Sequence, residues 1–108
     1  MADCVNVNTL LPDGGLSVFC VEANAAEEAL KDLLASVSED YFQDTILELV
    51  DRYGKRMVTP GDTTVASVTV NMQKKTVGIM VAGAGSETLV RTVEDACRAA
   101  GYTFSPPR

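Results

Sequence analysis

The first third of the chain carries two stretches in which side chains alternate between two faces. Val5 and Val7 alternate with asparagines, and in 16–21 Leu16, Val18 and Cys20 share one face while Phe19 and Val21 share the other. A period of two residues is typical of β-strands. The stretches are separated by Pro-Asp-Gly-Gly at 12–15, residues that favour tight turns. The sequence therefore predicts an antiparallel hairpin.

The spacing then changes to that of a helix. Apolar residues recur three to four positions apart and form one stripe, which is typical of a helix that covers a core. The stripe consists of Ala29, Leu30, Leu33, Leu34 and Val37. We expect this helix to pack on the hairpin.

Residues 38–56 fit two interpretations. Apolar positions at Phe42, Ile46 and Leu49 have helical spacing, and Gly54 is suited to end such a helix. Alternatively, 46–50 is a short apolar strand that turns at 52–55 into a second one. The spacing of the apolar residues favours a helix, whereas the elements predicted before and after the segment favour a strand. Both interpretations therefore remain open.

The second half of the chain returns to strands and ends in a helix. Residues 65–71 and 76–81 are rich in β-branched residues, and the second stretch is the more apolar, so we expect it near the centre of the sheet. Helical spacing follows over 86–100, with Gly101 as the C-terminal cap. These elements predict a single α+β domain over 1–104 that includes a C-terminal helix at 86–100. Residues 105–108 are expected to be a tail or a linker.

Composition narrows the classes of function. The chain has 108 residues, of which 46% are hydrophobic, enough for one globular domain. Its net charge of −6 disfavours nonspecific binding to nucleic acid or to anionic membranes, and no apolar run has the roughly 20 residues that a membrane span requires. It contains no histidine and no C-x-x-C pair, so the commonest general base and the usual zinc ligands are missing. We expect a protein that is not an enzyme and has no cofactor or metal.

The three cysteines, Cys4, Cys20 and Cys97, are far apart in the sequence. An odd, scattered set argues against a disulfide framework. We therefore expect buried free thiols and a cytoplasmic, reducing location.

Charge is segregated along the chain. Nine acidic residues lie in 22–51 against Lys31 alone, and 52–75 is basic. The basic residues are Arg52, Lys55, Arg56, Lys74 and Lys75. Faces of opposite charge could bind another protein or a second copy head to tail; ordinary solvated surface is the alternative.

The order of these segments resembles ubiquitin-like domains over roughly residues 3–83. The likeness rests on Val5-Asn6-Val7-Asn8-Thr9-Leu10, the glycine turn, Leu16 to Glu22, the helix, Tyr53-Gly54-Lys55-Arg56-Met57, Pro60-Gly61-Asp62-Thr63-Thr64-Val65 and Lys75 to Val81. It implies a β-grasp fold with an added C-terminal helix and a noncatalytic role in protein–protein interaction. It also implies an apolar binding face at Leu10, Leu49 and Met80, with Asp51 as the alternative to Leu49.

The chain departs from ubiquitin at its end, because Gly83-Ala84-Gly85 runs into a predicted helix and leaves no free diglycine. The resemblance therefore implies the N-terminal module of a larger scaffold or cytoskeletal protein. A rival likeness connects 65–104 with the second half of heavy-metal-associated domains. That likeness implies a ferredoxin-like two-layer sandwich that binds a small ligand or a metal, although the cysteine pair of that family is absent.

Overall fold

A computed structural model describes residues 4–11, 14–36, 42–55, 64–83 and 86–106. Val37 of the predicted helical stripe, Arg56 and the segment Pro60-Gly61-Asp62-Thr63 of the resemblance lie outside these ranges. In chain order the elements are β1 (Cys4–Leu10), β2 (Leu16–Glu22), a short 3-10 turn (Ala23–Ala25), α1 (Ala26–Ala35), α2 (Phe42–Tyr53), β3 (Gly54–Lys55), β4 (Thr64–Asn71), β5 (Thr76–Gly83), α3 (Ser86–Ala100) and β6 (Thr103–Ser105).

The strands form one mixed sheet in the order β3-β2-β1-β4-β5-β6. The predicted hairpin is confirmed as the antiparallel pair β1–β2, and β4–β5 is a second antiparallel pair. The two hairpins meet where β1 and β4 run parallel at the centre of the sheet. The α+β class predicted from the sequence is confirmed. The expectation that 76–81 is central is wrong, since β5 lies second from one edge and is flanked by the short β6.

One face of the sheet carries the core. Val5, Val7 and Thr9 alternate along β1 and are fully buried. Alternate residues of the neighbouring strands join the same cluster, together with the apolar stripes of α1, α2 and α3. The described helices therefore cover one face, which gives a two-layer arrangement of helices on a sheet.

The segment for which the sequence allowed either a helix or a strand contains a helix. Residues 42–53 form α2, and its residues Phe42, Ile46 and Leu49 are buried in the core. The strand interpretation of 46–50 is wrong, because the spacing of these three residues puts them on one helical stripe that packs on α1 and β2.

The predicted helix at 86–100 is confirmed as α3, and Gly101 ends it. Gly101 has φ +80°. Its N–H donates to the Arg98 carbonyl at 3.3 Å, and the Tyr102 N–H donates to the Cys97 carbonyl at 2.9 Å. This pair of bonds is a Schellman motif, in which a left-handed residue closes the helix. The motif turns the chain into β6, which includes Ser105, so the expected tail at 105–108 begins inside a strand.

Replacing Gly101 with alanine is expected to lower the free energy of unfolding by about 1 kcal/mol, because only glycine adopts positive φ without a steric cost. Gly78→Ala is the matched control, since a Cβ at either glycine meets no atom within 4 Å and only Gly101 has positive φ. Urea unfolding of both variants measures the difference. Equal midpoints would contradict the assigned role of Gly101.

Candidate functional site

The sheet has a second face that the described helices do not cover. Its side chains belong to the strand positions that alternate with the core positions, and they lie outside the core cluster. We call this set the open face. It consists of Asn6, Asn8 and Leu10 on β1, Leu16 and Val18 on β2, Ser67 and Thr69 on β4, and Gly78 and Met80 on β5.

The open face exposes large apolar side chains. Leu16 is 63% exposed, Val18 51%, Met80 76% and Leu10 39%. Among the described residues, these are four of the five large hydrophobic side chains that are exposed; the fifth is Leu47 on α2. Leu10, Leu16 and Val18 are neighbours on β1 and β2, and exposed apolar side chains that lie together in this way are typical of interaction sites.

Strand register arranges the open face in rows across β2, β1, β4 and β5. The middle row runs Val18, Asn8, Thr69, Gly78. The Asn8 Nδ2 group in this row donates a hydrogen bond to the hydroxyl of Ser67 in the neighbouring row at 2.6 Å, which links the two central strands.

The middle row and the two rows beside it contain no charged residue on these four described strands, although 22% of the chain is charged. The two rows beside it run Leu16, Leu10, Asn71, Thr76 and Cys20, Asn6, Ser67, Met80, so that Cys20, Asn71 and Thr76 complete the open face. Cys20 is only 2% exposed and the Asn6 Oδ1 atom is buried, so the face is covered at that corner. The row of Met80 continues on β3 to Lys55. Loss of charged residues from the middle of a patch is a mark of interface cores.

Two of the three apolar residues that the resemblance implied lie on one face of the sheet, two strands and two rows apart. Leu10 and Met80 both lie on the open face. Leu49 is 2% exposed in the core on α2 and is not available at the surface. Leu16 and Val18 were missed as site residues. The sequence feature that could have identified them is that this strand is apolar on both faces. If Phe19 and Val21 face the core, the side chains on the opposite face are exposed unless a second layer of structure covers them.

The predicted basic residues do not form one patch among the described residues. Arg52 lies on α2 and pairs with Asp32 at 3.2 Å and with Glu48 at 3.1 Å, so its charge is offset by the acidic helices.

The lysines lie at separate places on the sheet. Lys55 pairs in register with Cys20 at the β3 edge. Lys74 and Lys75 are exposed in the turn between β4 and β5, on the other side of the sheet centre. The remaining predicted residue, Arg56, lies outside the described residues.

The cysteines differ from the expectation. The sulfurs of Cys4 and Cys20 are joined in a disulfide across the β1–β2 hairpin, with a Cα–Cα distance of 6.0 Å, which is in the ordinary range for such bonds. The expectation of free thiols is wrong for this pair, because the hairpin brings together residues that are 16 apart in sequence. The expected reducing location was inferred from free thiols, so the disulfide removes the basis of that inference.

Cys97 is free and buried, as expected. Burial, and the nearby Glu94 carboxylate, raise the pKa of its thiol to about 11. The sulfur is therefore protonated at neutral pH and is a poor nucleophile.

The described residues contain no cluster of three or more histidine, cysteine or acidic side chains that could hold a metal ion. None of the described helices is long and apolar enough to cross a membrane.

A shallow cleft of about 290 Å³ lies between α3 and β6. Its walls include Val90, Tyr102 and Phe104. Its charged side chains, Glu94 and Arg98, pair with each other at 2.9 Å.

These features define an α+β domain in which the described helices cover one face of a six-stranded mixed sheet, while the other face exposes Leu10, Leu16, Val18 and Met80. No family model matches the sequence, and no curated protein matches it. The fold is similar to the automated NMR structure of TA0956, with a TM-score of 0.73, 17% sequence identity and 96% of each chain covered. A likeness at this level of identity shows the fold alone.

Proposed function

We propose that this chain is a noncatalytic protein-interaction module that binds its partner through the open face. The observation that carries the proposal is the exposure of Leu16, Val18 and Met80 on one face of the sheet, in rows that have no charged residue on β2, β1, β4 and β5. Water leaves such a surface at little electrostatic cost, because no ion has to be desolvated.

The composition of the open face suits contact with another protein. Met80 is a flexible side chain that adapts to the shape of a partner. Leu16 and Val18 supply apolar area at one side of the face, and Asn8, Ser67 and Thr69 between them and Met80 supply hydrogen-bonding groups. A partner that packs on a sheet at the usual distance of about 10 Å would contact all of these side chains.

The finer proposal is a ubiquitin-like module within a larger scaffold or cytoskeletal protein. The hairpin followed by α1, and the parallel strand beside β1, support it. The placement of Leu10 and Met80 on the same face of the sheet supports it as well. The helix at 42–53 replaces the strand that the resemblance implied, so Leu49 takes no part in the proposed binding face.

The proposal is tested by capture from a lysate of the source cells. The baits are the wild-type chain, the double variant Val18→Lys/Met80→Lys, and Leu47→Lys as the control, since Leu47 is also exposed but lies on α2. We expect proteins that bind the wild type and the control to be depleted at least about tenfold on the double variant, because a charge buried in an apolar interface costs more than about 1.4 kcal/mol. Circular dichroism checks that all three baits are folded. Equal capture by all three would overturn the proposal.

A further inference from the structure

We propose that Met80 is an oxidation site of the folded chain, at which a peroxide converts the thioether to a sulfoxide and makes the β5 side of the open face polar. The inference goes beyond the proposed function, because the reaction needs no binding partner. It rests on how the fold exposes or buries each sulfur atom, and on the room around Met80.

Met80 is the one sulfur-containing side chain that is exposed within the described ranges. These ranges contain five such side chains, and Met80 is 76% exposed. The other four are at most 6% exposed; they are Cys4, Cys20, Cys97 and Met72. Because oxidation of sulfur follows its accessibility, an oxidant that arrives from solvent reacts first with Met80.

The cysteines are protected in a second way as well. The sulfurs of Cys4 and Cys20 are joined to each other, so neither carries a thiol. Burial raises the pKa of the Cys97 thiol to about 11, and the protonated form reacts poorly with oxidants. A thioether has no proton to lose, so the reactivity of Met80 depends on access to its sulfur atom alone.

The reaction transfers one oxygen atom to the Met80 sulfur. A lone pair of the sulfur attacks one oxygen atom of hydrogen peroxide, the O–O bond breaks, and the other oxygen leaves as water. The sulfur is oxidised and the peroxide is reduced. Methionine sulfoxide reductases reverse the change. In that direction two thiols become a disulfide and the oxygen leaves as water.

The surroundings of Met80 accommodate the added oxygen. Gly78 lies two positions earlier on the same face of β5, and a Cβ placed there would meet no atom within 4 Å. Ser67 is opposite Met80 in register, and side chains in such pairs have Cβ atoms about 5 Å apart. The Ser67 hydroxyl accepts a hydrogen bond from Asn8, so its own proton is suited to donate to a sulfoxide oxygen.

Met72 provides the contrast within the same chain. It is 4% exposed, and its sulfur accepts a hydrogen bond from the Tyr102 hydroxyl at 3.5 Å. An oxygen atom on this sulfur would put a polar group into the core, which is unfavourable. Met72 is therefore the internal reference for a methionine that the fold protects.

Oxidation changes the apolar surface of the open face on one side. Met80 is the most exposed of the large hydrophobic side chains in the described ranges. Its sulfoxide is polar, whereas Leu16 and Val18 on β2 are not altered by peroxide. An apolar contact made at Met80 would thus respond to oxidant, and one made at β2 would not.

Peptide mapping by mass spectrometry, after limited treatment of the folded chain with hydrogen peroxide, identifies the site. We expect the sulfoxide to form at Met80 at least about tenfold faster than at Met72, in line with their exposed fractions of 76% and 4%. In denaturant the two methionines should react at similar rates, because the fold causes the difference. Equal rates in the folded chain would overturn the inference.

Retention on a phenyl hydrophobic-interaction column measures the effect on the surface. Treated wild type is expected to elute earlier than untreated wild type, and Met80→Leu should keep its retention after the same treatment. Every other methionine is present in both chains, so its oxidation affects both equally. Unfolding would expose the core and lengthen retention, so earlier elution is not a sign of lost structure. A wild type that is fully oxidised at Met80 and elutes unchanged overturns the inference, as does an equal shift in Met80→Leu.

These outcomes are separate from those of the capture experiment. If Met80 is oxidised selectively and elution shifts as expected, while all baits capture equally, only the proposed function fails. If capture depends on Val18 and Met80, but Met80 is oxidised no faster than Met72, only the present inference fails.

Discussion

Replacing Leu49 with alanine is expected to lower the free energy of unfolding by about 3 kcal/mol. Leu49 is 2% exposed and belongs to the core that α2 forms with α1 and β2. Removing a buried leucine side chain costs the transfer free energy of its carbon atoms and leaves a cavity, which together typically amount to about 2–5 kcal/mol. Urea unfolding, followed by circular dichroism, measures the change.

Leu47→Ala is the matched control for this prediction. Leu47 is the same residue type two positions earlier on the same helix, and it is 67% exposed. Its substitution is expected to change stability by no more than about 0.5 kcal/mol. If Leu49→Ala were as mild as Leu47→Ala, Leu49 would be a surface residue, and the binding face implied by the ubiquitin-like resemblance would regain its middle position.

Reducing the Cys4–Cys20 disulfide is expected to lower the free energy of unfolding by about 3 kcal/mol. The bond closes a loop between cysteines 16 positions apart, and cross-linking a loop of this length restricts the unfolded chain by about that amount. The measurement is the urea midpoint with and without reductant. The double variant Cys4→Ser/Cys20→Ser should show no response to reductant.

Counting thiols tests the pairing itself. In denaturant without reductant, one thiol per chain should react, and after reduction three should react, because only Cys97 is free. Three reactive thiols in protein that has never met a reductant would return Cys4 and Cys20 to the free state expected from the sequence.

Local patterns were enough to find most elements of the fold. The β1–β2 hairpin, α3 and its Gly101 cap each depend on residues close in sequence, so spacing and turn chemistry identified them. The order of strands depends on contacts between distant residues. The apolar character of β5 predicted a central position, yet β5 lies second from one edge of the sheet, and its Val77 and Ile79 are buried because they face the core under the helices.

The candidate site was harder to predict, because exposure depends on what the helices cover. The sequence placed Leu16 and Val18 on one strand face without showing whether a second layer of structure lies over them. Leu49 was assigned to the surface by resemblance, although its helical spacing with Ile46 already indicated a buried stripe. The disulfide was missed because the spacing of cysteines along the chain does not report their distance across a hairpin.

The parallel pairing of β1 with β4 has a consequence for how the chain reaches its native state. Asn8 and Ser67, whose side chains bond across the sheet centre, are 59 positions apart. Each hairpin is local and can form early, but the chain between the two includes α1 and α2, so pairing β1 with β4 closes a long loop. The loop-closure entropy of that step opposes folding before the core contacts compensate for it, which is the situation in which domains fold slowly for their size. Until the hairpins join, the edges of β1 and β4 are unpaired, and unpaired strand edges promote association of incompletely folded chains.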